Sequence, residues 1–422
     1  MSNRRRLIGN LGSLFSVQGA NYLIPLITLP YLVRVLGPEN YGLIAFAQAF
    51  IQYFTTVTNY GFGLSAVREV AQIRDQQERL ATTIGSVMGV KVLLLLACLV
   101  PFALIVWEIP RFRADAGLYA VTTLSVAGAV FFPSWLLQGL ERMKVLAGLT
   151  IAARLLSSAL IFVLVLRARD YLWAAALQSA PLLLATPLAW FLLVRYHGVR
   201  IRWPNFTSIW QQFRSGWTLF LSTVAINLYT SSNTFILGLI AGPVAVGYFA
   251  AASKLVGAAQ GLLSPFSQTF FPHISHLATR SREQARATIR RILHLMASGS
   301  FLLSLTLLLA ARPLVTVLLG TQYGASVAIL RWMAFLPFVI ALSNVFGIMT
   351  MIPFHLHQSF NRILTLSAVF NLILIVPLVT GFGASGAGMA MLTTECFVTL
   401  AMAGTLAKNG LAPWRRPGTE PG

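Results

Sequence analysis

About twelve stretches of eighteen or more mostly apolar residues follow one another along this chain, at roughly 9–33, 41–65, 82–106, 117–137, 145–166, 171–194, 215–240, 247–271, 292–311, 327–352, 363–380 and 384–407. A run of about 20 such residues matches the hydrocarbon thickness of a bilayer. Inside hydrocarbon a segment has to satisfy its own backbone hydrogen bonds, so it crosses as a helix or as part of a closed barrel. Barrel strands would alternate apolar and polar residues over about 10 positions, whereas these runs are continuously apolar. Composition agrees: 57% of the residues are hydrophobic and 10% are charged, with a mean hydropathy of +0.74, against roughly 25% charged residues in soluble domains. The expectation is an all-α integral membrane protein.

The formal net charge of +20 invites a nucleic-acid reading, and its distribution rejects it. With twelve spans, twenty-one of the thirty-one Lys and Arg residues fall at the N-terminus, in the even-numbered loops and at the C-terminus; six fall on the opposite side, Arg34, Arg111, Arg113, Arg167, Arg169 and Arg312. Basic loops stay in the cytoplasm, so both termini are predicted to be cytoplasmic. Arg4-Arg5-Arg6 resembles the start of a signal peptide, but Asn10, Gln18 and Asn21 follow without a small-residue cleavage site, which predicts a retained first span.

One pattern occurs twice. Gly37-Pro38 with Gly42 and Gly242-Pro243 with Gly247 both read G-P-x-x-x-G, 205 positions apart, and each joins two apolar runs. The reading is two six-helix lobes, 1–195 and 215–407, separated by a cytoplasmic linker at 196–214 and followed by a disordered cytoplasmic tail at 408–422. Six spans return the chain to its starting side, so the lobes form parallel repeats with substrate between them and alternating access by rocking.

Several classes drop out. No G-x-x-x-x-G-K-[ST] phosphate loop is present, so ATP hydrolysis by that route is excluded. No H-E-x-x-H and no paired-cysteine spacing occurs; Cys98 and Cys396 lie inside spans and read as small apolar filler. His273/His276 and His355/His357 read as interfacial histidines, and Asp75, Asp115 and Asp170 are isolated in the sequence. No metal site and no cofactor is predicted. The longest cytoplasmic connections, 195–214 and 272–291, are too short for a folded soluble domain of about 50 residues.

A charge at mid-bilayer is costly, and where one persists it marks a pathway or an internal pair. Lys91, Arg154, Lys254 and Arg331 fall inside spans, with Glu395 as the sole acid. A cavity with surplus positive charge suits an anionic ligand such as phosphate or pyrophosphate, which guanidinium binds as a bidentate fork. Arg154 carries Thr150, Ser157 and Ser158 on its own helical face. Lys91 is central in span three among apolar neighbours; Lys254 shares a small-residue face with Ala250, Gly257, Ala258 and Gly261; Arg331 lies close to the outer end of span ten. These four are the candidate substrate-binding residues, and Glu395 is a candidate for proton or sodium coupling. The competing reading is that Glu395 neutralises one of the cations. Pro25 and Pro30 are expected to kink span one.

The stretch PYLVRVLGPENYG, then FAQAFIQYF and YGFGLSAVREVAQIRD, resembles the opening of the polysaccharide-biosynthesis transporters, and of O-antigen flippases in particular. Leu319-Gly320 through Tyr323 to Leu330-Arg331 resembles a later pattern of the same family. The resemblance implies a fold shared with multidrug exporters, a bacterial inner-membrane location, no enzymatic activity, and movement of undecaprenyl-pyrophosphate-linked oligosaccharide from the cytoplasmic to the outer leaflet. It implies membrane lipid as surroundings, and a polysaccharide polymerase and chain-length regulator as candidate partners. Arg34, Arg68 and Glu69 match its motif and are expected to gate or to pack the lobes, with interfacial anchoring as the alternative. Two rivals stand beside it. A drug exporter of the same fold should carry acids in the first-half cleft, and none lies inside spans one to six. A glycan polymerase or ligase should carry a large outer loop, and the outer loops are short.

Overall fold

Long apolar sequence with few internal breakers propagates as helix until a glycine or proline interrupts it. In the computed structural model, which describes residues 2–199 and 202–414, the elements are α1 (Ser2–Asn59), α2 (Ser65–Ile73), α3 (Gln77–Glu108), α4 (Pro110–Ala114), α5 (Ala116–Thr122), α6 (Leu124–Phe131), α7 (Ser134–Gly139) and α8 (Met143–Leu164). They continue as α9 (Tyr171–Ser179), α10 (Pro181–His197), α11 (Phe206–Arg280), α12 (Arg282–Leu309), α13 (Ala311–Leu314), α14 (Ser326–Met333), α15 (Leu336–Phe346) and α16 (His357–Lys408). The side chains of Arg4, Arg5, Arg6, Gln18, Asn21 and His273, and the residues Arg200, Arg415 and Arg416, lie outside the described set. Among the described residues there is no strand, and eight helical stretches are long and apolar enough to cross a membrane.

Three of the longest helices are each interrupted by one glycine: α1 at Gly37, α11 at Gly242 and α16 at Gly383. The duplicated motif repeats down to its backbone angles, with φ 72°, ψ 172° at Gly37 and φ 84°, ψ 176° at Gly242. That region of backbone space is essentially open to glycine alone. The following prolines, Pro38 and Pro243, start the next helical segment with φ already set and no N–H to leave unpaired. The backbone of α1 has no non-helical angles at Pro25 or Pro30; its one break falls at Gly37, between spans one and two.

The chain packs as two compact units, Met1–Asn227 and Leu228–Gly422. In the first, α1 lies along α8 and α6, and α10 packs against α6 and α8. Trp135, Phe132, Tyr60, Ile84, Val87 and Ala153 share its core. The segment after α10 is anchored to this unit. A Cβ at Gly85 would come within 1.9 Å of the Arg202 carbonyl oxygen, and one at Gly89 within 3.2 Å of Pro204, so only glycines let the 202–204 backbone approach α3 this closely. The first part of α11 belongs here too, with Tyr60 stacked on Phe213 and Phe220 at centroid distances of 4.6 and 4.7 Å. In the second unit α15 packs against α12 and α16, around Ile289, Met296, Val345, Met349, Val398 and Met402.

Two expectations change. Arg68 and Glu69, just past span two as read at 41–65, are not continuous with it. The membrane helix ends at Asn59, Tyr60 and Gly61 turn the chain with positive φ, and both residues sit on the separate short helix α2. Within the tail the described residues 408–414 make defined contacts: Ala412 is buried, the Pro413 carbonyl accepts from Arg290 Nε at 3.0 Å, and Trp414 meets Phe346 edge-on at 5.5 Å.

Candidate transport site

Arg154 lies midway along α8. Thr150 and Ser157 on its face are buried, Arg154 and Ser158 are half-buried, and Leu155 and Leu156 on the opposite face are exposed, as expected of lipid-facing positions. The Thr150 hydroxyl donates to the Leu146 carbonyl at 2.7 Å, and the buried Ser157 hydroxyl has no hydrogen-bond partner. Among the described residues no carboxylate pairs with the Arg154 guanidinium. An arginine placed so has donor capacity to spare for an anion.

Lys91 is placed differently. Its residue is 2% exposed, and Nζ donates to the Ala129 carbonyl of α6 at 2.6 Å. The residues beside Lys91 and Arg154, Val90 and Ala153, share one core. In the second unit Lys254 on α11 and Arg331 on α14 are both exposed. Glu395 on α16 is buried, and no described side chain donates to its carboxylate. At the preceding residue, Asn371 Nδ2 donates to Thr394 Oγ1 at 2.9 Å, leaving Asn371 Oδ1 without a partner.

The motif residues form their own contacts. Arg34 and Arg68 are exposed. Glu69 accepts from Thr83 Oγ1 at 3.0 Å and from Gln212 Nε2 at 2.9 and 2.8 Å, which ties α2 and α3 to the start of α11 within the first unit. Glu69 and Thr83 line an open groove of about 420 Å³ with Glu78, Arg79, Thr82 and Arg202. Gln212 was not foreseen, because nothing in its own neighbourhood marks it. Tyr31 and Asn40 belong to the same opening motif as Arg34. The Tyr31 hydroxyl donates to the Val165 carbonyl at 2.7 Å, and Asn40 Nδ2 donates to the Ala168 carbonyl at 3.0 Å. They hold the Gly37 turn against the end of α8. Among the described residues there is no cluster of three or more His, Cys, Asp or Glu able to hold a metal.

Residues 7–278 match the family model described as polysaccharide biosynthesis protein. A curated protein of Escherichia coli (strain K12) named "Putative O-antigen transporter" is 34% identical over 97% of this chain and 99% of its own length. A protein of the same name from Shigella dysenteriae is 31% identical over 93% of this chain and 98% of its own. Among solved structures, the lipid II flippase MurJ superposes with a TM-score of 0.71 at 13% identity, covering 93% of this chain and 87% of MurJ. An inward-facing multidrug resistance MATE family transporter of the MOP superfamily superposes with a TM-score of 0.69 at 12% identity, covering 96% and 100%. The class defined is a multi-pass, all-helical membrane protein with the fold of these transporters. Within it, the chain belongs to the polysaccharide biosynthesis protein family, which bears out the resemblance read from its opening motif.

Proposed function

We propose that the protein is a flippase that carries undecaprenyl-pyrophosphate-linked oligosaccharide from the cytoplasmic to the outer leaflet of a bacterial inner membrane, with no chemical step of its own. Dividing α11 and α16 at their glycines and adding the two parts of α1 brings the eight candidate spans to twelve, six in each of two lobes, 1–195 and 215–407. Residues 196–214 then connect the lobes on the cytoplasmic side, and both termini, including the tail from 408, are cytoplasmic. Transport proceeds by alternating access through a cationic cavity. Arg154, Lys254 and Arg331 are the residues proposed to meet the pyrophosphate; Lys91, the fourth candidate, is engaged with the Ala129 carbonyl. The lipid tail stays in the bilayer. An inside-negative potential favours outward movement of negative charge by about 2.3 kcal/mol per charge per 100 mV when the full field is crossed. Glu395 is the candidate ion-coupling group, Arg34, Arg68 and Glu69 are assigned to gating and lobe packing, and a polysaccharide polymerase and chain-length regulator are the proposed partners.

One observation carries the reading to this substrate class. A chain 34% identical over 97% of its length to a protein named "Putative O-antigen transporter" carries a mid-span arginine with no described carboxylate paired to it. The test is reconstitution in liposomes with a pyrophosphate-linked oligosaccharide lipid, followed by accessibility of the glycan from outside. Protein-dependent flipping is expected. Absence of flipping by folded protein, with efflux of cationic drugs in its place, would favour the second reading, a drug exporter, which the MATE-like fold keeps open.

A further inference from the structure

The run at 124–139 is not one helix. Pro133 forces a break, because its ring disfavours helical angles in the preceding residue, and Phe132 accordingly takes φ −74°, ψ 120°. Pro133 also removes the N–H that would have reached back four residues to the Ala129 carbonyl. The last carbonyls of α6 are therefore exposed acceptors at membrane depth, where no water is at hand to satisfy them. Two side chains from other helices meet them. Lys91 Nζ of α3 donates to Ala129 at 2.6 Å, and Trp190 Nε1 of α10 donates to Phe131 at 2.9 Å. Phe132 donates its own N–H to Gly128 at 3.0 Å. A cation at this position also opposes the negative end of the α6 dipole.

We infer that Lys91 is a positioning residue: its ammonium caps the Pro133 break from α3, and it serves transport by fixing α6 and α7 rather than by touching the substrate. The break matters because of what packs on it. Phe132 and Trp135 lie in one core with Val87 and Val90 of α3 and with Leu149 and Ala153 of α8, one residue from Arg154. Lys91 and Trp190 thus brace, from two sides, the surface against which the Arg154 segment is seated. The inference rests on the flippase reading for the use of that brace, while the capping geometry stands without it.

The two roles for Lys91 separate in a double variant. Lys91→Met removes donor and charge. Pro133→Ala restores an N–H and lifts the restraint on residue 132, so that α6 can extend and serve Ala129 from its own backbone. A capping role makes the second change compensate for the first; an anion-binding role does not, because the double variant K91M/P133A still lacks the charge. Thermal unfolding of the purified protein and flipping in liposomes are measured for wild type, K91M, P133A, K91M/P133A and K91R. The expected pattern is a lowered Tm and at least ~10-fold slower flipping for K91M, with most of both regained in the double variant. K91R, which keeps a donor, should lie closer to wild type than K91M does. A double variant no better than K91M on either readout overturns the inference, as does a K91M protein indistinguishable from wild type. If wild type itself does not flip the lipid, the flippase reading fails, and the compensation in Tm still decides the role of Lys91.

Discussion

Lys91 and Arg154 are both cations within membrane-spanning helices of the same unit, and they occupy opposite situations. Lys91 is 2% exposed, and its ammonium is engaged with a backbone carbonyl stranded by a proline. Arg154 is half-buried on a polar stripe, with no described carboxylate at hand. The difference teaches that a charge in a span identifies a pathway only after the structure's own needs have been met. A membrane-buried helix end needs donors as much as a substrate does. The second unit offers the complementary case: its buried Glu395 has no described donor, while neighbouring Thr394 accepts from Asn371.

The largest effect is expected at Arg154. Removing one partner of a desolvated, hydrogen-bonded charge pair costs about 2–5 kcal/mol, so Arg154→Ala should slow flipping by at least ~30-fold with little change in Tm. A large fall in Tm would place Arg154 beside Lys91 as a structural cation and erase the contrast.

Next comes the duplicated turn. A non-glycine residue at the angles of Gly242 costs roughly 1–3 kcal/mol, although space there is open, so Gly242→Ala should destabilise through backbone strain alone. Gly257→Ala, also in open space but inside helical α11, should be neutral or stabilising, by up to about 1 kcal/mol. Equal effects of the two substitutions, measured by denaturation in detergent, would show that the turn angles are not what the motif preserves.

At the Glu69 clasp, Glu69→Ala leaves the buried Gln212 amide unsatisfied and should cost about 1–3 kcal/mol. Glu69→Gln should cost much less, because the Gln212 amide can turn over and present its unpartnered oxygen. A charge-dependent role in gating would instead make the Gln variant as damaging to flipping as the Ala variant. Smallest is Tyr31→Phe, which deletes one hydrogen bond to the Val165 carbonyl and should lower stability by about 1 kcal/mol.

The helices were legible in the sequence because continuous apolar runs have one solution in a bilayer. The ends at Gly37, Gly242 and Gly383 were legible too, since those glycines fall in the gaps between runs. What the runs concealed was a break inside one of them, at Pro133, where hydrophobicity continues while the backbone does not. The α2 helix was hidden for the same reason: the run to Ser65 hides the Tyr60-Gly61 turn. In the described part of the tail, 408–414, nothing local shows that Ala412 and Trp414 find a surface made by distant α12 and α15. For the site, charge and depth singled out Lys91, Arg154 and Glu395, but which of them is already engaged depends on partners 38 or more positions away, such as the Ala129 carbonyl. Gln212, 143 positions from Glu69, could not be seen locally at all.

The most direct test of the contrast is equilibrium binding of a soluble sugar pyrophosphate to the purified protein, comparing wild type, Arg154→Ala and the double variant K91M/P133A. The account predicts that R154A loses at least ~30-fold in affinity, while the double variant, without the Lys91 charge, stays within a few-fold of wild type. Strong binding retained by R154A and lost by the folded double variant would contradict it, and would make Lys91 the residue that meets the pyrophosphate.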